Sequence, residues 1–72
     1  MKLKYFGHSA FQITTDSNIR ILIDPFLDDN PVSKTKSSEV EAEFIVFTHG
    51  HGDHVGDGLK IGKRCNSLFI CV

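Results

Sequence analysis

A short histidine-rich segment, residues 48–54, directly follows an uninterrupted apolar run and constrains the fold more than any other feature of the chain. Its sequence is Thr-His-Gly-His-Gly-Asp-His, in which the first two histidines are two positions apart. Side chains that share a helix face are three or four positions apart, so a helical segment is excluded. We predict a loop that leaves a strand, in which Gly50 and Gly52 permit the positive φ angles of a tight backbone.

Three imidazoles and one carboxylate in so short a segment predict a metal site, because neutral histidine is the commonest metal ligand in proteins. The candidate donors are His49, His51, Asp53 and His54. This mixture of ligands suits zinc, manganese or iron, so the donor types alone do not select the metal. Asp53 has a second interpretation as the cap of a following helix, a role that does not exclude ligation. A solvated turn or a purification-tag remnant is the weaker alternative, since tags are histidine runs at termini.

Three alternating segments predict an antiparallel meander at the start of the chain. Apolar and polar residues alternate in residues 2–6, 10–15 and 19–23, which is the pattern of half-buried strands. Leu3 and Tyr5 share one face of the first strand. The polar, aperiodic stretch that follows, residues 28–38, is predicted as a loop. Its first members, Asp28, Asp29 and Asn30, are interpreted as solvated.

Two wholly apolar runs predict parallel strands. Residues 44–47 and 68–72 are apolar at every position, as in strands that are covered on both faces. Residues 55–64 have the length of a helix with Val55, Leu59 and Ile61 facing inward, although two glycines weaken it. Strand, helix and strand form a βαβ unit. The histidine loop then leaves the carboxyl end of a central strand, where open α/β sheets bind ligands.

Composition narrows the functional classes. The 72 residues make at most one small domain, and the net charge of −1 gives no basic surface for nucleic acid. No apolar run approaches the roughly 18 residues of a membrane span, and the alternating start of the chain is unlike a signal peptide. Cys65 and Cys71 do not form a Cys-x-x-Cys pair and are interpreted as small buried hydrophobes. We therefore expect a cytoplasmic protein.

Three motifs resemble one family. Gly7-His8-Ser9, the box Ile23-Asp24-Pro25-Phe26-Leu27 and the His-x-His-x-Asp-His of residues 49–54 occur in this order. Together they resemble the metallo-β-lactamase superfamily, in its branch of small metal-dependent hydrolases similar to the L-ascorbate-6-phosphate lactonase. The resemblance implies an α/β (α+β) fold, a helix–sheet–sheet–helix sandwich. Residues 1–72 would form a single partial domain, the N-terminal third, and the second sheet and later metal ligands would lie elsewhere.

The resemblance also implies roles for individual side chains. Two divalent ions, with zinc expected first, would be held by His49 with His51 and by Asp53 with His54. Asp53 would also orient the attacking water, and His8 would meet the substrate, although a lone histidine after a strand is more often structural. Asp24 would hydrogen-bond the histidine loop from behind the ligands, and a simple turn residue is the alternative.

The resemblance implies metal-dependent hydrolysis, in which a metal-activated hydroxide attacks a lactone, a phosphodiester or another small ester. The rival hypothesis is a non-catalytic metal-binding or assembly fragment, completed by a partner chain or by a second copy in an oligomer. Each metal would find only two ligands in this chain, whereas a catalytic zinc normally takes three and a water. We therefore expect the chain alone to be weakly active or inactive.

Overall fold

Five strands form one mixed sheet in the residues that the computed structural model describes, 1–48 and 56–71. In chain order, the elements are β1 (Lys2–Gly7), β2 (Ala10–Thr14), β3 (Arg20–Ile23), a 3-10 turn (Ser37–Glu39), β4 (Phe44–Phe47), α1 (Gly58–Cys65) and β5 (Leu68–Cys71). The spatial order of the strands follows the sequence. Strands β1 to β3 pair antiparallel, and β3 to β5 pair parallel. The predicted meander and βαβ unit are both confirmed.

The two faces of the sheet differ in their cover. Helix α1 lies against one face, where the side chains of Leu22 and Ile45 are fully buried and Ile61 meets them from the helix. The strand register places the alternate residues on the opposite face. Leu3 and Tyr5 lie there as predicted, and they are 68% and 59% exposed. The sheet is therefore packed on one side and open on the other.

An ion pair joins the amino ends of β3 and β4. The guanidinium Nη2 of Arg20 lies 2.6 Å from Oε2 of Glu43. The Arg20 backbone N–H donates to the other carboxylate oxygen at 2.6 Å. These hydrogen bonds lower the pKa of the Glu43 carboxyl from its usual 4.5 to about 2. The charged pair therefore persists through the neutral pH range, at the edge of the sheet away from the carboxyl end of β4.

Helix α1 buries a different stripe from the predicted one. Ile61 is fully buried as expected, but Leu59 is 59% exposed, so its predicted inward position is wrong. Val55 lies outside the described residues. The buried positions are Gly58, Ile61 and Gly62, which lie at i, i+3 and i+4 on one helix face. Counting only large apolar residues overlooks a face on which two of the three members are glycines. No helix in residues 1–48 and 56–71 is long and apolar enough to cross a membrane.

The two helix glycines make room for aromatic rings from the sheet. A Cβ atom at Gly58 would lie 2.3 Å from the ring of Phe47, and one at Gly62 would lie 2.1 Å from the ring of Phe69. These two rings stack with their centroids 5.8 Å apart. Each glycine weakens a helix by about 1 kcal/mol relative to alanine. Packing against these rings therefore explains why the helix has glycine, which helix propensity disfavours, at these two positions.

Gly58→Ala should lower the free energy of unfolding by about 1–2 kcal/mol, because overpacking a closed contact costs more than helix propensity returns. The matched variant Gly62→Ala should lose less, since Phe69 is 38% exposed and its ring has room to turn, whereas Phe47 is 7% exposed. Urea denaturation of both variants checks this expectation. A Gly58→Ala protein more stable than the wild type would contradict the packing account.

Candidate metal centre

The predicted metal donors fall between the two described parts of the chain. His49, His51, Asp53 and His54 lie outside the described residues, so their positions stay a prediction. Within residues 1–48 and 56–71, no group of three or more histidine, cysteine or acidic side chains is placed to hold a metal ion. The structure does describe what holds the chain on either side of the histidine segment, at Thr48 and at Gly56.

The start of the histidine segment is held by Asp24. This aspartate follows β3, and its side chain is among the fully buried ones. Its Oδ1 accepts the backbone N–H of Thr48 at 2.7 Å, and its Oδ2 accepts the Thr48 hydroxyl at 2.5 Å. The Asp24 N–H donates to the Val46 carbonyl at 2.9 Å, next to the end of β4. Asp24 thus contacts the residue before His49, and its predicted contact with the ligands themselves remains a prediction.

The end of the segment returns to the same turn. The N–H of Asp57 donates to the Pro25 carbonyl at 2.7 Å. Its carboxylate Oδ2 accepts the N–H groups of Leu27 at 3.0 Å and Asp28 at 2.8 Å. Gly56 has a φ of +50°, and a Cβ there would lie 2.3 Å from the Pro25 carbonyl oxygen. Residues 24–28 therefore hold both ends of the histidine segment.

Sequence reasoning missed Asp57. The available signal was an acidic residue immediately before a helix, and the cap interpretation was attached to Asp53 instead. Helix α1 begins at Gly58 with Asp57 at its N-cap position, although the Asp57 side chain makes no capping hydrogen bond. The two aspartates are four positions apart, which is within the uncertainty of a helix start judged from sequence.

The buried Asn30 side chain stabilises the turn formed by residues 24–28. Its side chain is 3% exposed, and its Nδ2 donates to the carbonyls of Phe6 at 3.3 Å and Phe26 at 2.9 Å. Its Oδ1 accepts the Val32 N–H at 3.1 Å. The prediction of a solvated Asn30 is wrong, because its amide satisfies buried backbone groups. Asp29 is exposed as predicted.

Asp28 also forms hydrogen bonds within the protein, so its predicted role as a solvated loop residue is wrong. Its carboxylate accepts the backbone N–H of Ser37 at 2.7 Å, the Ser37 hydroxyl at 2.8 Å and the ammonium of Lys60 at 2.8 Å. These donors hold the pKa of Asp28 well below its usual range, with the Lys60 bond the largest cause. Asp28 therefore joins the turn to the 3-10 segment and to helix α1.

His8 lies at the same edge of the sheet, in the turn between β1 and β2. Its ring meets Phe26 edge-on at a centroid distance of 5.3 Å. Its residue has a φ of +54°, and its carbonyl accepts the Tyr5 hydroxyl at 2.7 Å. The side chain is exposed beside the turn that holds the histidine segment. Its predicted contact with substrate remains a prediction.

A cleft of about 330 Å³ lies among Arg20, Glu41, Ala42, Glu43, Arg64 and Cys65. It adjoins the amino ends of the parallel strands, away from Asp24 and Asp57. Its cations already have partners, since Arg20 pairs with Glu43 and Arg64 donates to the carbonyls of Ser37 and Val40. The cleft is therefore not a candidate for the predicted chemistry.

Comparison with known proteins gives consistent matches. Residues 2–63 match a family described as the Beta-lactamase superfamily domain. A UPF0173 metal-dependent hydrolase of Archaeoglobus fulgidus is 47% identical over 72 residues, which are 100% of this chain and 30% of that protein. One from Methanosphaera stadtmanae is 44% identical over 70 residues, covering 97% of this chain and 30% of the relative. The chain thus spans about 30% of the length of these curated relatives.

A solved structure gives the same result in three dimensions. Igni18, a metallo hydrolase from the archaeon Ignicoccus hospitalis, matches with a TM-score of 0.84 and 42% sequence identity. The match covers 93% of this chain and 30% of that one. Sequence and backbone comparisons therefore agree on what the chain is similar to.

Asp24→Ala should lower the free energy of unfolding by about 2–4 kcal/mol, since it removes a buried acceptor and forces alanine into a left-handed conformation. Asp24→Asn should lose less, because asparagine keeps an acceptor oxygen and tolerates positive φ. The exposed neighbour variant Asp29→Ala should stay within about 0.5 kcal/mol of the wild type. Equal losses for Asp24→Ala and Asp29→Ala in thermal and urea unfolding would contradict this account.

Proposed function

This chain belongs to the beta-lactamase superfamily, and on that premise we propose that it forms part of a metal-dependent hydrolase. Its α+β sheet matches the N-terminal part of a metallo-β-lactamase fold, as predicted. Relatives of this chain carry the name metal-dependent hydrolase, and the chain spans about 30% of their length. We therefore propose hydrolytic activity for this chain only as part of such a protein.

The observation that carries the proposal is the double attachment of the histidine segment. Its start and its end are both bonded to residues 24–28, at Thr48 and at Asp57. The segment between them holds three imidazoles and a carboxylate, a donor set that fits zinc, manganese or iron. We propose His49, His51, Asp53 and His54 as ligands of two divalent ions, with zinc first. When bound, zinc would lower the pKa of water to about 7 and so supply the nucleophile for ester hydrolysis.

Other side chains at this edge would bind the substrate or orient the reacting groups. Asp24 and Asp57 hold the two ends of the histidine segment on one turn, so the chain leaves the sheet and returns to it at fixed points. Asp53 would accept a hydrogen bond from the attacking water and keep it aligned. His8, exposed beside Phe26, would hydrogen-bond a small ester, lactone or phosphodiester at the rim of the site.

Calorimetric titration of the chain with zinc or manganese should show binding, and His51→Ala should weaken it by more than about tenfold, since it removes a proposed ligand. His8→Ala is the matched control, because it deletes an imidazole that the proposal does not assign to the metal. Its metal affinity should stay within about twofold. A wild-type chain without metal binding, or a His51→Ala chain that binds like the wild type, would contradict the metal site.

Hydrolysis of a lactone and of a phosphodiester should be slow for the chain alone. Two ligands per ion are fewer than the three that catalytic zinc normally takes from protein. Robust turnover by a proven monomer that is abolished in His51→Ala would show that no further ligands are needed.

A second candidate function, assembly with a completing polypeptide, is favoured by the open face of the sheet. Ten apolar side chains on this face are exposed or half-buried: Leu3, Tyr5, Phe11, Ile13, Ile21, Ile23, Phe44, Val46, Leu68 and Ile70. Parallel strands are normally covered on both faces. We propose that a polypeptide equivalent to the rest of the relatives' length packs on this open face, as one sheet packs on another.

Leu3→Gln should weaken binding to a polypeptide that corresponds to the remainder of the Archaeoglobus relative. Lys2→Gln should not, because the neighbouring side chain points to the opposite face of β1. Leu3 is exposed in the chain alone, so the free chain should keep its stability. Sedimentation analysis of the mixtures measures the complex. Equal binding by both variants, or a homodimer formed through this face in preference to the complex, would overturn the proposed occupant.

We also propose a reducing, cytoplasmic location. Cys65 and Cys71 are both free thiols in the structure. Free thiols persist in reducing compartments, whereas secreted small domains usually use cysteine in disulfides. Cys65 is half-buried, but Cys71 is exposed, so the interpretation of both as buried hydrophobes is wrong for Cys71.

A further inference from the structure

Asp57 occupies the N-cap position of helix α1, but its carboxylate makes no capping hydrogen bond to that helix. An aspartate at this position ordinarily accepts a hydrogen bond from an N–H in the first helical turn. Here there is no such bond. The carboxylate, which is 13% exposed, accepts the N–H groups of Leu27 and Asp28 instead. Its hydrogen bonds join the start of the helix to the turn after β3.

We propose that Asp57 is a positioning residue for the histidine segment, and this inference rests on the proposed metal site. Asp24 holds the start of the segment through Thr48, and Asp57 holds its end on the same turn. Gly56 allows the close approach, because any Cβ there would collide with the Pro25 carbonyl oxygen at 2.3 Å. Asp57 would thus act on a bound metal through the backbone, without being a proposed ligand.

Closure of the segment explains why this positioning matters. Seven residues, 49–55, lie between Thr48 and Gly56, the two described ends of the segment. Bringing the ends of such a connection together costs conformational entropy. When side-chain hydrogen bonds meet that cost during folding, the metal encounters donors that are already gathered, which raises its affinity. Loss of the Asp57 contacts transfers the ordering cost to metal binding.

The contacts of Asp57 with the turn depend on its acceptor oxygen. Among the residues that the structure describes, the cation that pairs with Asp57 is the Lys60 ammonium, which lies 3.5 Å from Oδ1 and belongs to a side chain that is 64% exposed. Both backbone bonds end on Oδ2. An asparagine side chain has the same size and keeps one acceptor oxygen, so Asp57→Asn preserves the contacts that Asp57→Ala removes.

Zinc titration of Asp57→Ala should show an affinity about tenfold weaker than that of the wild type, and Asp57→Asn should recover most of the loss. Ile61→Val is the matched control, because it trims a buried side chain of the same helix and leaves the turn intact. It should lower the melting temperature by a few degrees and leave zinc affinity within about twofold. Amide hydrogen exchange of the metal-free proteins should accelerate at Leu27, Asp28 and residues 50–54 in Asp57→Ala only.

The outcomes separate this inference from the metal site itself. Wild-type affinity and exchange in Asp57→Ala overturn the inference, and so does an equal loss of affinity in Ile61→Val, which would reduce Asp57 to a contributor to helix stability. Absence of zinc binding by the wild type overturns the metal site. In that case the exchange rates of residues 50–54 decide whether Asp57 positions the segment, with equal rates in Asp57→Ala and wild type counting against it.

Discussion

The buried carboxylate of Asp24 is the contact on which this edge of the molecule depends. Burying a carboxylate is costly unless hydrogen bonds compensate it, and Thr48 supplies two of them at the end of β4. The bonds tie the carboxyl ends of two neighbouring parallel strands together. The positive φ of Asp24 then directs the chain into the Pro25–Asp28 turn. That turn exposes the backbone groups to which Asp57 binds, so the second attachment depends on the first.

The polar contacts divide between the two ends of the parallel strands. At the amino ends, Arg20 and Glu43 form a partly exposed charged pair that joins β3 to β4. At the carboxyl ends, aspartates bind backbone N–H groups, and these bonds determine where the chain leaves the sheet and returns to it. A half-exposed ion pair contributes little to stability on its own. Carboxylate bonds to backbone amides hold the chain path more tightly, which suits an edge at which metal ligands are proposed.

Sequence patterns predicted the elements better than their buried faces. Alternation in residues 2–23 and two wholly apolar runs were sufficient for the meander and the parallel pair. The inward position of Leu59 was wrong because the sheet presents aromatic rings to the helix, and only glycines leave space for them. That requirement arises from residues distant in sequence, so no local pattern contains it.

The sequence predicts candidate metal donors but not the residues that hold the histidine segment in place. The spacing of His49, His51, Asp53 and His54 is a local signal, and their role as ligands stays a prediction. Asn30 looks like an ordinary loop residue in sequence and becomes buried only when β1 and the turn after β3 come together. Asp57 was overlooked for the same reason, since its bonding partners lie about thirty positions earlier in the chain.

The glycine contacts of helix α1 also affect where the histidine segment ends. Gly58 and Asp57 are consecutive, so the ring of Phe47 beneath Gly58 determines how closely the helix start approaches the sheet. A bulkier contact there would lift Asp57 away from Leu27 and Asp28 and widen the gap that the histidine segment spans. The spacing between helix and sheet thus controls the distance between the two described ends of the histidine segment. Changes at Phe47 or Gly58 would alter this distance without altering any of the proposed ligands.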